Sequence, residues 1–484
     1  MAAAKALKRR DMDMTNGSMA GNIFKFALPL FAGNLFQQLY NMVDTWVIGQ
    51  KYGNNGAYAA VGSVGPIINI LLGFFLGLAS GAGVIISQYY GAKDDKKVSE
   101  TVHTSIKLTI IMSVLFTVVG VCMTPWLLKM MLGSSGSSDV LPHAQSYLLI
   151  YFAGVSGMMF YNMGAGILRA VGDSRRPFYF LAVAAIINTV LDLVFVFRFD
   201  MGAAGVALAT IIAQFISAIM TMYVLVKTDS SIKIERKKLK MQRDSLKKVF
   251  MVGMPAAIQM AVTAFSNVFV QSYISGVDIS GIVDNKYHFS DIFTPNAHVS
   301  DANLALSGWT SYSKIDQFIF LPVQSISLAV TTFVGQNLGK GDIKRARKGT
   351  WIGFAMAASA SAALIGAIEI FTPFFASIFN SEPKIVDISI VLLRYITPFY
   401  LLCSVNQVFA ASMRGAGNTK VPMIVMIGAF VGFRQVYLYT MSNHISNGML
   451  PIAMGYPAGW FVCAACMFVS YCLCDFSKSR LVED

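Results

Sequence analysis

Twelve long apolar runs constrain this chain more than any other feature of its sequence. A helix needs about 20 mostly apolar residues to cross the hydrocarbon core of a bilayer. The runs cover residues 22–48, 57–88, 102–125, 143–168, 177–198, 203–227, 249–275, 306–337, 349–373, 387–412, 422–441 and 450–474. Only 13% of the residues are charged, against about 25% in an average soluble domain. We therefore predict an all-α membrane protein with twelve transmembrane helices.

The basic residues indicate how these helices cross the membrane. They concentrate in the connections after the even-numbered runs, which contain Lys93, Lys96, Lys97, Arg169, Arg175, Arg176, Lys340, Lys344, Arg345, Arg347, Lys348, Arg414 and Lys420. The central connection, 227–248, holds nine basic residues, and we interpret it as a solvated tether facing lipid head groups. Lys and Arg are retained on the cytoplasmic side, so both termini are expected there. The net charge of +13 then reflects topology, and no nucleic-acid partner is expected.

The two halves of the chain repeat the same motifs in the same order. Pro29 and Asn41 recur as Pro255 and Asn267, Gln88-x-x-Gly91-x-x-Asp94 recurs as Gln336-x-x-Gly339-x-x-Asp342, and Arg169-x-x-Gly172 recurs as Arg414-x-x-Gly417. Each copy holds six runs, an even number, so both have the same orientation about a pseudo-two-fold axis along the membrane normal. The fold prediction is therefore two six-helix lobes related by a parallel repeat.

The repeat also divides the chain. We expect a cytoplasmic N-terminal segment (1–21), an N-lobe (22–227), a basic cytoplasmic linker (228–248), a C-lobe (249–475) and a cytoplasmic tail (476–484). The spacing between the copies grows from 226 residues (Pro29 to Pro255) to 248 residues (Gln88 to Gln336). This increase predicts an extracellular insertion in the C-lobe at 277–304.

Polar residues inside the apolar runs point to a functional site. Asn188 and Asp192 are four residues apart and share one face of a helix. A carboxylate at the centre of a membrane helix costs roughly 2.5–3.5 kcal/mol. At about 1.5 Å per residue, Asp192, Asp44 and Thr210 all lie at a similar depth below the outer ends of their helices. Two carboxylates, an amide and a hydroxyl predict an oxygen-rich pocket for H⁺ or Na⁺, with buried structural hydrogen bonding as the alternative.

Other residues within the runs have weaker implications. Tyr40, Asn41 and Asn162 are candidates for lining a substrate cavity, although packing explains each one singly just as well. In the C-lobe, Asp316 and Arg434 lie at similar depth, and a buried ion pair is the simplest arrangement for both, in either a structural or a gating role. Close helix packing explains the glycines of the second run better than a hinge does; they are Gly73, Gly77, Gly81 and Gly83.

No motif indicates an enzyme or a bound cofactor. The sequence has no GxSxG, HExxH or Walker A pattern, so we expect transport to be driven by an ion gradient. No His or acid stands at ligand spacing to the cysteines, which we interpret as small apolar residues in helices; they are Cys122, Cys403, Cys463, Cys466, Cys472 and Cys474. The only metal expected is Na⁺, bound at the oxygen-rich pocket.

In combination, the motifs resemble those of one transporter family. Pro29 with Asn41-Met-Val-Asp44, Arg169-Ala-Val-Gly172-Asp173, Asn188-x-x-x-Asp192 and Arg414-Gly-Ala-Gly417-Asn418 look like the multidrug and toxic compound extrusion (MATE) transporters, closest to the DinF-like prokaryotic branch. The resemblance covers residues 20–475. It implies two lobes around a V-shaped cavity, alternating access, and efflux of amphipathic, often cationic compounds in exchange for H⁺ or Na⁺. It also implies that the N-lobe cation site consists of Asp44, Asn188, Asp192 and Thr210.

The expected function is thus a cation-coupled antiporter of a prokaryotic cytoplasmic membrane. Its expected partners are small organic substrates and membrane lipids, and we expect a monomer. A lipid-linked precursor flippase of the same superfamily is the alternative, but it should carry a cationic cavity for pyrophosphate, whereas the inferred N-lobe pocket is acidic. The sequence leaves H⁺ and Na⁺ open, since the same oxygens bind either.

Overall fold

The computed structural model describes residues 12–52, 56–132, 140–274, 277, 302–379 and 382–482. Most of the predicted insertion at 277–304 therefore lies outside the described residues. The described part of the chain contains twelve long helical segments: α1 (Met19–Tyr52), α2 (Gly56–Gly91), α3 (Asp95–Leu132), α4 (Val140–Ala153 and Val155–Ala170), α5 (Arg175–Arg198), α6 (Gly202–Lys227), α7 (Arg243–Ile274), α8 (Ala302–Gly339), α9 (Ile343–Ile370), α10 (Pro383–Gly415), α11 (Lys420–Ile445) and α12 (Met449–Leu473). A short helix, Thr372–Phe379, follows α9.

Most of these helices are long and apolar enough to cross a bilayer. Ten in the described ranges meet this condition, or eleven when the two halves of α4, bent by 47°, count as one span. α1 fits least well because Lys25, Asp44 and several amides interrupt its apolar residues, but it packs against α5 and α8. The all-α membrane fold predicted from the apolar runs is confirmed.

The repeated motifs form the same turns in both lobes. Asp94 and Asp342 cap α3 and α9, each accepting a hydrogen bond from a backbone N–H three residues later, at 3.0 and 2.9 Å. Gly172 and Gly417 follow α4 and α10 with φ values of 89° and 92°. A carboxylate cap and a left-handed residue each have few substitutes, which explains why these residues stand at equivalent places in both halves.

Helices α2 and α8 cross where the lobes meet, and the crossing is symmetric. A Cβ atom on Gly91 would collide with the backbone oxygen of Gln336, and a Cβ atom on Gly339 would collide with that of Gln88. Each glycine thus leaves space for the backbone of the other lobe. This reciprocal contact agrees with the parallel pseudo-two-fold repeat. We call this end of the bundle, which also carries the connections rich in Lys and Arg, the basic end.

Close packing between the lobes continues away from the basic end along α2 and α7. A Cβ atom on Gly77 would overlap the backbone of Ala257, and one on Gly81 would overlap that of Gly253. Small residues allow helix backbones to approach this closely. The glycines of α2 therefore serve close helix packing, as predicted, and Gly77 and Gly81 do so between the lobes.

Helices α1 and α8 form another contact between the lobes. Asn34 Nδ2 donates a hydrogen bond to Ser325 Oγ at 3.3 Å, and Gln38 donates to Gln317. Gln38 lies near the middle of α1, so the lobes are joined from the basic end to about half the height of the bundle.

The basic linker is docked on the N-lobe, which corrects its interpretation as a solvated tether. Ile232 and Ile234 are buried in the N-lobe core. The N–H of Glu235 donates to Nε2 of His103 on α3 at 2.9 Å. Burying an isoleucine contributes about 1.5–3 kcal/mol, so two apolar side chains among many lysines suffice to fix the segment.

Candidate functional site

Three N-lobe helices bring the predicted polar residues together. Asp44 of α1 is 8% exposed, and Asn188 and Asp192 of α5 are 1% and 0% exposed. The hydroxyl oxygen of Thr210 on α6 is also buried. Because Asn188 and Asp192 are one turn apart, the face of α5 that packs inward carries both.

The two carboxylates form the centre of this cluster. Asp44 interacts directly with both Asp192 and Thr210. Neither contact is a regular hydrogen bond, because Oδ1 of Asp44, both carboxylate oxygens of Asp192 and Oγ1 of Thr210 have no hydrogen-bond partner among the described residues. Both amide atoms of Asn188 are also buried without one. Most buried polar atoms in proteins are hydrogen bonded, so this concentration of unsatisfied atoms marks a candidate site.

Four buried tyrosines lie in this part of the N-lobe, and two of them interact directly with a carboxylate. Tyr40 of α1 and Tyr147 of α4 each interact electrostatically with Asp44. Tyr151 stacks on Tyr147 with ring centroids 6.3 Å apart, and Tyr161 lies close enough to Tyr40 to interact with it. The rings exclude water from the cluster, and their faces attract positive charge.

The three tyrosines of α4 are site residues that sequence reasoning missed. The available signal was the spacing of Tyr147 and Tyr151, which places two hydroxyl-bearing rings on one face of a membrane helix. The bend of α4 near Gly154 lies close to them, and a Cβ atom on Gly154 would collide with Ile211 of α6. Close packing of α4 on α6 therefore helps to bring these rings to the carboxylates.

The helix that carries Asp192 changes geometry directly after it. Val194–Arg198 form a π-helical turn, a feature that is frequent at functional sites. Beyond the turn, Asp200 pairs with Lys51 at 2.6 Å and accepts a hydrogen bond from the Tyr52 hydroxyl at 2.5 Å. These contacts with Lys51 and Tyr52 hold the pKa of Asp200 below its usual range. They fasten the outer ends of α1 and α5 about two turns beyond the carboxylates.

The predicted cavity residues have different surroundings. Tyr40 belongs to the ring of tyrosines described above. Asn162 donates from Nδ2 to the carbonyl oxygen of Met158 on its own helix at 2.9 Å. Asn41 is exposed. Asn162 and Asn41 therefore lie outside the carboxylate cluster, and substrate contact by any of the three remains a prediction.

The predicted ion pair in the C-lobe is wrong. Arg434, 3% exposed, donates from Nη2 to Ser266 Oγ at 2.8 Å and to Asn267 Oδ1 at 2.9 Å, and from Nε to a backbone oxygen of its own helix at 3.0 Å. Asp316 accepts a hydrogen bond from the Tyr312 hydroxyl at 3.4 Å. The position of a residue along a helix gives its depth but not the side of the helix on which its side chain lies. In the structure, neutral side-chain oxygens of α7 bind Arg434 in place of the Asp316 carboxylate.

The N-lobe cluster has the chemistry of a site for one small cation. Two buried carboxylates that share a position cannot both remain charged without compensation. A proton on one of them, or a Na⁺ ion among carboxylate, amide and hydroxyl oxygens, would supply it. The described residues contain no group of three His, Cys, Asp or Glu side chains able to hold a metal ion.

Comparison with known proteins gives consistent matches. A family model described as MatE matches residues 29–194 and 297–440. The probable multidrug resistance protein YoeA of Bacillus subtilis (strain 168) is 27% identical over 448 residues, which are 90% of each chain. The probable multidrug resistance protein YpnP of the same organism is 27% identical over 459 residues, 95% of this chain and 96% of the relative. A solved MOP superfamily transporter from Pyrococcus furiosus has a TM-score of 0.85 at 22% identity, covering 96% of this chain and 98% of its own, which shows the fold.

Proposed function

Because the chain belongs to the MATE family of multidrug efflux transporters, we propose that it exports amphipathic, often cationic compounds in exchange for H⁺ or Na⁺. The observation that carries this proposal is the set of buried, unpartnered polar atoms around Asp44 and Asp192. The names of YoeA and YpnP as probable multidrug resistance proteins support the substrate class.

Cation binding acts on the contact between α1 and α5. Two like charges 4 Å apart repel by about 4 kcal/mol at an effective dielectric constant of 20. A proton or Na⁺ at Asp44 and Asp192 removes this repulsion and lets α1 approach α5. Since α1 also packs on α8 of the other lobe, a shift of α1 changes the packing between the lobes.

Alternating access then consists of opening and closing the lobes at opposite ends of the bundle. We assign the basic end to the cytoplasm because Lys and Arg concentrate in its connections. The tight α2–α8 crossing around Gly91 and Gly339 supports a closed state of that end. Cation entry from outside would favour release of the exported compound, and loss of the cation to the cytoplasm would reset the lobes.

The available gradients are sufficient for such a cycle. One charge crossing the membrane supplies about 2.3 kcal/mol per 100 mV, and one proton supplies about 1.4 kcal/mol per pH unit. The acidic, tyrosine-lined surroundings of Asp44 suit organic cations, because both carboxylates and aromatic faces attract positive charge.

Transport by the purified, full-length protein in vesicles tests the proposal. Ethidium is the probe, and a pH gradient and a Na⁺ gradient are imposed separately, so the effective gradient identifies the coupling ion. We expect Asp44→Asn and Asp192→Asn each to slow transport roughly 100-fold, corresponding to about 2.7 kcal/mol. Asp229→Asn, which alters a 99% exposed linker side chain, is the matched control. Wild-type rates in both folded site variants would show that the coupling mechanism is wrong.

A further inference from the structure

Asp316 is a carboxylate inside α8 that the N-lobe cluster does not use. It lies in the candidate membrane span Leu304–Gly339 and is half-buried. Among the described residues its one hydrogen bond comes from the Tyr312 hydroxyl, at 3.4 Å. An ionised carboxylate at such a depth is costly without a positive partner, and residues of this kind are rarely retained for structure alone.

The buried arginine of the C-lobe, Arg434, does not pair with Asp316. Arg434 lies 4.8 Å over the ring of Tyr456, and its donors bind Ser266 and Asn267. Tyr456 interacts electrostatically with both Arg434 and Asp316. The carboxylate therefore has an aromatic ring, rather than the guanidinium, as its neighbour on this side.

The surroundings of Asp316 leave room for a proton rather than for an organic cation. Trp309 packs on Tyr312 and Tyr456 with ring centroids 5.1 and 5.4 Å apart. The Tyr400 hydroxyl lies 3.4 Å from that of Tyr312. Rings that pack on one another present no open face to an ammonium group. The titratable and charged groups around the carboxylate are Tyr312 of α8, Tyr400 and Cys403 of α10, Tyr456 of α12 and, beyond that ring, Arg434 of α11.

Asp316 is also placed to affect the N-lobe. The adjacent residue, Gln317, accepts the hydrogen bond from Gln38 of α1, and Gln38 precedes Asp44 by six residues on that helix. A change of charge on Asp316 thus occurs beside the α1–α8 contact. Resting on the antiport proposed above, we propose that Asp316 takes up a proton from water and releases it in each transport cycle, so that the C-lobe has a protonation step of its own, whichever cation the N-lobe site binds.

Infrared titration of the purified, full-length protein tests this without requiring transport. In the Asp44→Asn/Asp192→Asn background we expect a protonated carboxylic-acid band that disappears as the pH rises. Adding Asp316→Asn should remove this band, whereas adding Asp229→Asn should not. An unchanged band after Asp316→Asn, or an Asp316 band that persists at every pH at which the protein is folded, would overturn the proposal.

A transport measurement complements the titration. Asp316→Asn should lower the number of protons exchanged per substrate by one while leaving ion binding at the N-lobe intact. If that variant does not fold, Tyr312→Phe removes only the hydroxyl donor and should shift the pH at which the Asp316 band disappears. A normal proton count in the folded Asp316→Asn variant would contradict the proposal, even where the N-lobe variants behave as expected.

The two ends of the chain carry a second, independent inference. Residues 12–18 form an N-terminal strap and residues 474–482 form a C-terminal strap at the basic end. Met14 N–H donates to Gln336 Oε1 at 3.0 Å, and Leu481 N–H donates to Gln88 Oε1 at 2.8 Å. Gln88 and Gln336 are equivalent residues of the repeat, so the straps occupy equivalent places.

Each glutamine joins a strap to both lobes. Gln88 Nε2 donates to the carbonyl oxygen of Gly415, and Gln336 Nε2 donates to that of Ala170, both at 2.9 Å. These acceptors are again equivalent ends of α10 and α4. In each glutamine, Oε1 accepts a hydrogen bond from a strap and Nε2 donates one to the other lobe. Neither lobe can therefore move away at the basic end without breaking a strap contact or a contact between helices.

Further contacts hold the straps in place. Arg345 Nη2 donates to the carbonyl oxygen of Gly17 at 2.8 Å, and Lys248 Nζ donates to that of Leu481 at 2.9 Å. Met14 of one strap and Phe476 of the other are fully buried. The straps therefore fill the end of the interface between the lobes. We infer that both straps lock the basic end closed and must leave before that end can open.

The inference predicts a change in access to the crossing of α2 and α8. Ser87 is buried at the crossing and faces Gly335. The exposed cysteines Cys122, Cys466 and Cys472 are first replaced, and Ser87 is then replaced by cysteine. Reaction of this cysteine with a water-soluble maleimide then reports opening of the basic end, independently of transport.

Two proline variants remove the N–H donors together with the packed side chains of these strap residues. Met14→Pro and Leu481→Pro should each speed the labelling at least fivefold, since the loss of one hydrogen bond alone changes an opening equilibrium by roughly that factor. Gln88→Ala and Gln336→Ala provide a second pair if the prolines prevent folding. Lys478→Ala, in the same tail but with an exposed side chain, is the control. Unchanged labelling in both strap variants would show that the straps are not part of the gate.

Discussion

The two lobes share one helical plan but differ in how they accommodate buried polar groups. In the N-lobe, Asp44, Asn188 and Asp192 carry buried polar atoms that have no hydrogen-bond partner among the described residues. In the C-lobe, Arg434 donates to Ser266 and to the side chain of Asn267. A satisfied network stabilises a fold, whereas unsatisfied groups are retained at a cost and indicate a function.

The divergence falls on equivalent positions of the repeat. Asn41 corresponds to Asn267, and both side chains are exposed, but Asn267 accepts a hydrogen bond from the buried Arg434. Asp192 corresponds to Tyr437, whose hydroxyl donates to the carbonyl oxygen of Pro451 at 3.0 Å. Substitutions on an unchanged scaffold thus put a candidate ion site at these positions of the N-lobe and hydrogen-bonded side chains at the equivalent positions of the C-lobe, and variants at paired positions measure the difference.

The largest expected effect is at the crossing, where the lobes should behave alike. Gly91→Val and Gly339→Val each place side-chain atoms where a backbone oxygen of the other lobe lies. Because a backbone cannot move aside as a side chain can, each should destabilise the protein by more than about 3 kcal/mol, the upper end for overpacking. Thermal unfolding in detergent measures this. A severe effect in one variant alone would contradict the symmetric crossing.

The next effect should separate the lobes. Arg434→Leu leaves the side chain of Asn267 without its donor and removes one of the two donors to Ser266, the other being Gln435 Nε2 at 3.1 Å. We expect a loss of about 2–3 kcal/mol of stability. Asp192→Asn removes no hydrogen bond and a buried charge, so its unfolding temperature should be unchanged or raised although transport fails. Equal destabilisation by both variants would show that Arg434 and Asp192 do not differ in their contribution to stability, which would contradict our assignment of their roles.

A smaller effect is expected at the two equivalent asparagines. Asn267→Ala removes an acceptor from a charged donor and should cost about 1.5 kcal/mol. Asn41→Ala alters a side chain that makes no hydrogen bond among the described residues, and it should change stability by less than about 0.5 kcal/mol. Unfolding temperatures of the two variants give the comparison directly, and a larger loss for Asn41→Ala would reverse our assignment of their roles.

The smallest effect concerns the outer contact of Asp200 with Lys51 and Tyr52. The pKa of Asp200 is lowered in the folded protein, so the folded state binds its proton less readily than the unfolded state. The contact therefore stabilises the protein above the unfolded pKa of about 3.9 and is lost as the pH falls through the lower folded value.

The wild-type protein should accordingly be more stable than Asp200→Asn at pH 7, and the difference should shrink on acidification. Melting temperatures of the wild-type protein and of Asp200→Asn, measured at pH 7 and at successively lower pH, test whether the difference in stability shrinks. Asp229→Asn serves as the control, because the Asp229 side chain is 99% exposed and no difference is expected. A difference that grows towards low pH would contradict the assignment.

Much of this architecture could be predicted because its causes are local or repeat along the chain. Long apolar runs predict helices, and the repeated Gly and Asp residues predicted the duplication that places equivalent turns at Asp94 and Asp342. The members of the N-lobe cluster were found because a carboxylate is conspicuous among apolar residues. The tyrosines of α4 were missed because an aromatic residue in a membrane helix is ordinary until its neighbours are known.

The sequence by itself determined the helical membrane fold, the duplication and the polar residues that an apolar interior must accommodate. Only the tertiary structure decided the partners of those residues: Asp44 meets Asp192, Arg434 meets Asn267, and Asp316 has no cationic partner among the described residues. Hydropathy and spacing specify depth along a helix, but the rotation of each helix and its crossing with others follow from side-chain packing across the whole bundle. The straps at Gln88 and Gln336 arise in the same way, since contacts between distant parts of a chain have no signature in either part alone.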